Sequence, residues 1–228
     1  MSRVLLDQTI ESLKAKLILL EGMVSRAAEE AVDALLENDN EKSKAVYLGD
    51  KVINAKRFEI ENECLVAIAT QQPLATDLRI LSSILEIATE LERMGDYAKG
   101  IAKINLMIDK KSTKAKPILE IREMIEITID MLQRAIRAFV DGDAAAARVI
   151  PKDDDKVDEL FNRIYFGLID DMIAKKKHIS LANHLQWAVH NIERMADRVV
   201  NICERTLFVS TGEMSELEES DDEWVSDL

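Results

Sequence analysis

The pentapeptide ERMGD at Glu92–Asp96 returns as ERMAD at Glu193–Asp197. The match does not stop there. The stretch ALLENDNEKSKAVYLGDKVIN (34–54) lies over AFVDGDAAAARVIPKDDDKVD (138–158) without a gap, relating Asp39 to Asp143 and Asp50 to Asp154 at an offset of 104. At the pentapeptide the offset falls to 101. The missing three residues belong where TQQPLATDLR faces the shorter partner AKKKHISLAN. A repeat of this length means that both halves must build the same supersecondary unit.

Periodicity says which unit. Leu6, Ile10, Leu13, Leu17, Leu20, Val24, Ala27, Ala31 and Ala34 alternate steps of four and three, the seam of a helix in a bundle. It ends at ENDN, where Asp39 or Asn40 can cap the next helix, and Asp143 takes the same place in the second half. Helix two is predicted over 40–71, stopping before Pro73, and helix three over 74–108. Helix four covers 118–141, with Ile118, Ile121, Ile125, Leu132, Ile136 and Phe139 on one stripe. Helix five covers 143–176 and helix six 180–208. Seven glycines, three prolines and 4 % aromatics leave little material for sheets. The expected fold is all-α: two tandem three-helix bundles related by internal duplication. The first spans 1–108 and the second 118–208, joined by the polar linker DKKSTKAKP (109–117). An acidic, disordered tail follows at 209–228.

The net charge of −13 argues against nucleic acid, whose phosphates need Lys and Arg. Eight acidic residues and no basic one fall in 213–228, so the tail carries much of that charge. No apolar run reaches the roughly 18 residues of a membrane span, which argues against direct membrane insertion. Cys64 and Cys203 form no CxxC and read as reduced core thiols of a cytoplasmic protein.

Residues i and i+4 of a helix share a face. Glu92 with Asp96, and Glu193 with Asp197, are therefore neighbours. Helix two offers Asp50 and Asn54 at the same spacing, and helix five offers Asp154 and Asp158. A short turn makes consecutive helices antiparallel neighbours, so each half can bring two such pairs face to face. Like charges held that close repel unless a cation lies between them or some are protonated. Carboxylate oxygens suit Mg²⁺, Ca²⁺, Mn²⁺ and iron, and tolerate Zn²⁺. The plain alternative is a solvated acidic face with ion pairs such as Glu92–Lys99 or Glu90–Arg93. Glu61, three turns beyond Asp50, is a further candidate for the first cluster. His190 is one for the second; His178, His184 and His190 are six apart and cannot converge.

The stretches GDKVINAKRFEIENECLVAIATQQPLATDLRILSSILEIATELERMGDYAKGI and DDDKVDELF…WAVHNIERMADRVVNICE resemble the PhoU family of phosphate-signalling proteins. The resemblance covers most of 8–208 and leaves the tail outside. It implies a six-helix, non-enzymatic protein, often a homodimer, with metal on the bundle surface. It implies ligands Asp50, Glu92 and Asp96 in the first half, with Asn54 where the motif has an acid. In the second half it implies Asp154, Asp158, Glu193 and Asp197. The metals implied are iron clusters, or zinc and other ions. The role implied is negative regulation of phosphate uptake, linking the ATPase subunit of a phosphate ABC transporter to a sensor histidine kinase. A ferritin-like di-iron carboxylate enzyme is the rival reading, but such a site needs Glu-x-x-His on two helices, and the sequence has none. A helical scaffold without functional metal is the other.

Overall fold

The computed structural model describes residues 3–108, 119–174, 179–214 and 217. Among them every regular element is helical: α1 (Arg3–Glu37), α2 (Asn40–Gln71), α3 (Thr76–Met107), α4 (Glu120–Asp141), α5 (Ala144–Val149), a 3₁₀ turn (Ile150–Asp153), α6 (Asp154–Ala174) and α7 (Ile179–Thr211). The expected linker 109–117, His178 and most of the expected tail lie outside the described residues. The part of 209–228 that is described continues α7 through Thr211.

The repeat is visible in the caps. Asp39 accepts the backbone N–H groups of Glu41 at 2.9 Å and Lys42 at 3.0 Å. Asp143, its equivalent, accepts those of Ala145 at 3.0 Å and Ala146 at 2.9 Å. Asn38 and Gly142, one residue earlier in each half, both take left-handed backbone, φ 57° and 70°.

One correction concerns the predicted fifth helix. It is not continuous: α5 and α6 are separated by the 3₁₀ turn that carries Pro151. Proline lacks an N–H, and its ring clashes with the carbonyl four residues back, so a helix kinks or breaks there, and here it breaks. The first half has Tyr47 at the equivalent place, and α2 runs through unbroken.

Helices α1, α2 and α3 pack on one another, as do α4, α6 and α7. All the α1 seam residues are buried except Ala27, which is half-buried beside a fully buried Ala28. The two halves share one core because α3 lies against α7 and α1 against α4. The α3–α7 contact is antiparallel. Arg205 pairs with Glu86 at 2.9 Å, and Asn201 Nδ2 donates to Glu90 Oε2 at 3.2 Å. Arg194 lies 5.1 Å over the Tyr97 ring. Asn191 Nδ2 stands 3.1 Å from where a Cβ on Gly100 would be. The repeat offset carries Glu90 to Asn191 and Gly100 to Asn201, so the Glu90–Asn201 contact maps onto Gly100–Asn191. The interface is thus its own image, and the halves are related by a pseudo-twofold axis through it.

Candidate functional site

Each half brings its two polar pairs together, one from α2 or α6 and one from α3 or α7, and the two clusters differ in what stands between the carboxylates. In the first, Asp50 is buried on α2. Its Oδ2 accepts Lys99 Nζ at 2.7 Å and Asn54 Nδ2 at 3.0 Å, while its buried Oδ1 accepts no hydrogen bond. Lys99 Nζ also lies 3.6 Å from Asp96 Oδ1 and 5.7 Å from the centre of the Tyr47 ring. The bond to Asp50 holds the Lys99 ammonium above its ordinary pKa, against the cost of desolvation. Glu92 is half-buried. Burial raises its pKa, Asp96 and Asp50 raise it further, and Arg57 and Arg93 oppose them. Lys99 therefore bridges the two helices through Asp50, where the solvated-face alternative would have paired it with Glu92. The expected Glu90–Arg93 pair forms, at 2.8 Å. Glu61 is held by Arg57 at 2.7 Å.

In the second half Asp154, Asp158, Glu193 and Asp197 line one cleft of about 570 Å³, together with Arg148, Lys152, Val200 and Leu217. Glu193 has its carboxyl pushed up to about 7, by burial first and then by Asp197 and Asp158, against Arg194 and Arg198. Burial also raises Asp197, and Arg198, Arg194 and His190 oppose the rise. His190 Nδ1 stands 3.1 Å from Glu193 Oε2, at ion-pair distance, but that buried oxygen accepts no hydrogen bond. Arg198 spans the interface between the halves, 3.8 Å from Asp197 and 3.4 Å from Glu90.

All eight sequence-predicted residues thus lie on facing helices in two clusters. Among the described residues, no group of three or more His, Cys, Asp or Glu side chains is gathered, as it stands, in a geometry that could hold a metal ion. The donor chemistry fits a hard cation: oxygen ligands only, with Asp50 Oδ1 and Glu193 Oε2 buried and accepting no hydrogen bond. Arg57 was missed from the sequence, and Lys99 was read there only as an ion-pair partner of Glu92. The repeat register sets both apart, since Val200 and Phe161 hold the equivalent positions. An aromatic groove between α6 and α7, with Phe161, Tyr165, Phe166 and Trp187 beside His190, was also missed. Its Phe166 and Trp187 fall off the core stripes and stay exposed.

The family model "PhoU domain" matches residues 17–104 and again 121–206. The chain is 33 % identical over 183 residues to "Phosphate-specific transport system accessory protein PhoU homolog 1" of Methanothermobacter thermautotrophicus, covering 80 % of this chain and 84 % of that one. It is 30 % identical over 220 residues to the "Phosphate-specific transport system accessory protein PhoU homolog" of Clostridium acetobutylicum, covering 95 % and 99 %. The fold superposes on the crystal structure of the phosphate transport system regulatory protein PhoU from Streptococcus pneumoniae with a TM-score of 0.85. That match has 28 % identity and covers 92 % of this chain and 99 % of that one.

Proposed function

The chain belongs to the PhoU family, and from that premise we propose that it is a regulatory accessory protein of phosphate transport, not an enzyme. It acts in the cytoplasm as a negative regulator. Its partners are the ATPase subunit of a phosphate ABC transporter and a phosphate-responsive sensor histidine kinase, and it works as a homodimer. Among the described residues no helix is long and apolar enough to cross a membrane.

The protein further binds metal ions, iron or another hard cation. Asp154, Asp158, Glu193 and Asp197 hold them in the second half, and Asp50, Asn54, Glu92 and Asp96 form the corresponding set in the first. A bound ion supplies positive charge between helices whose carboxylates otherwise repel. The residues themselves do the positioning. Helix geometry presents the Glu and Asp of each pair one turn apart, and the burial that raises Glu193 favours any cation able to neutralise it. One observation carries the reading: acidic clusters recur at repeat-equivalent positions, and the second gathers five carboxylates, Asp155 among them, around a single cleft.

The test is metal content by mass spectrometry on protein purified without chelator or His tag, compared with a Glu193→Ala/Asp197→Ala variant. Bound metal lost in that variant supports the reading, and metal-free wild type removes it. For the regulatory part, the protein should retain both the transporter ATPase subunit and the kinase in co-purification from its own cells.

A further inference from the structure

We propose that Lys99 is the resident cation of the first cluster and must leave before metal can enter, so that tight ion binding is confined to the second. This rests on the proposal above that these carboxylates bind metal. Lys99 is three residues past Asp96 and seven past Glu92, hence on the same stripe of α3, facing α2. Its ammonium is 2.7 Å from the most buried carboxylate of the cluster, Asp50, which is 4 % exposed. Tyr47 supports it on another side, at cation–π distance. Asn54 holds the same Asp50 oxygen that Lys99 holds. An ion at Asp50 would stand against this ammonium, like charge beside like charge, and a lysine that withdrew would give up its bond to a buried carboxylate. Ion and ammonium therefore compete for one place.

The second cluster is the built-in comparison. The repeat puts Val200 where Lys99 stands, and Phe161 where Arg57 stands. These two cations of the first half are hydrocarbon in the second, while Arg93 is kept as Arg194. Val200 is buried at the wall of the cleft. The cations that do line the cleft, Arg148 and Lys152, come from α5 and the 3₁₀ turn, not from the position between the acidic pairs. The first cluster thus sets three carboxylates against Lys99, Arg57 and Arg93. The second sets five, Asp155 included, against Arg148, Lys152, Arg194 and Arg198, and has a valine where Lys99 stands.

The experiment titrates metal-free protein with Mn²⁺, following bound ion by calorimetry and by the loss of the free-ion paramagnetic resonance signal. Wild type should show a tight class that disappears in Glu193→Ala/Asp197→Ala. Adding Lys99→Val to that double variant should create a new class, tighter than the residual binding by about tenfold or more, as expected when a like charge is removed at contact distance. A further Glu92→Ala should abolish it. Lys99→Arg keeps the charge and should create no new class. Helical circular dichroism, run in parallel, verifies that each variant is folded. If Lys99→Val adds no binding while the second cluster binds normally, the role of Lys99 is overturned and metal binding stands. If neither wild type nor Lys99→Val binds Mn²⁺, both are overturned.

Discussion

Ile53 of α2 stands 3.1 Å from the point where a Cβ on Gly95 of α3 would lie. The equivalent positions carry Val157 and Ala196, both fully buried. The methylene lost from one helix is regained as a methyl on the other, which explains why the repeated pentapeptide reads Gly once and Ala once. Overpacking costs ~1–3 kcal/mol, against ~1 kcal/mol gained by Ala over Gly within a helix. Gly95→Ala alone is expected to destabilise by about 1 kcal/mol. Ile53→Val alone should cost ~0.5–1.5 kcal/mol. In the Gly95→Ala background that second cost should vanish. Denaturant melts of the four proteins measure the coupling, which should exceed ~0.5 kcal/mol; additive losses would contradict it.

Ala75, just before α3, has φ 46° and ψ −113°. A side chain there is strained by ~1–3 kcal/mol, and glycine is not. Ala75→Gly should therefore stabilise the fold by about 1 kcal/mol, after the entropy glycine adds to the unfolded chain. A lower denaturation midpoint would refute this.

Metal-free protein should lose stability as pH rises from about 4.5 to about 7. Glu193 binds its proton more tightly folded than unfolded, so across that window the native state holds more protons. Below the unfolded value the penalty is absent; above the folded value it is complete. Glu92 is shifted in the same direction and adds to the effect. Glu193→Gln should flatten the profile and raise stability at pH 8 by on the order of 2 kcal/mol. Chemical denaturation at several pH values measures it.

Burial raises the thiols of Cys64 and Cys203 to about 12. Thiolate is the reactive form, so neither should react with a disulfide reagent in native protein at pH 8. Both should react at the rate of unfolding. Prompt modification of either would contradict the packing.

Hydrophobic spacing made the helices and their order legible, because a seam such as Leu13, Leu17 and Leu20 has only one burial solution. The caps Asp39 and Asp143 were legible for the same local reason. The break at Pro151 was in plain view, since a proline inside a helix removes a backbone donor. The acidic clusters could be assembled from i,i+4 spacing and antiparallel pairing, since both are properties of helices. Their difference could not be read from the pentapeptides. It sits at Lys99 and Arg57, whose reach across to the other cluster members depends on tertiary placement. The aromatic groove was invisible because Phe166 and Trp187 belong to no core period.

The pseudo-twofold pairing of α3 with α7 has the form of a dimer made within one polypeptide. In a true symmetric pair, a substitution at one site is made at both. A lysine placed in one cluster would stand in its twin as well. Joining the copies lifts that constraint, and each half can drift alone while the interface keeps its geometry. Lys99 and Val200 record such a parting. One copy has become a self-neutralised strut, and its twin is left to answer to what the surroundings supply.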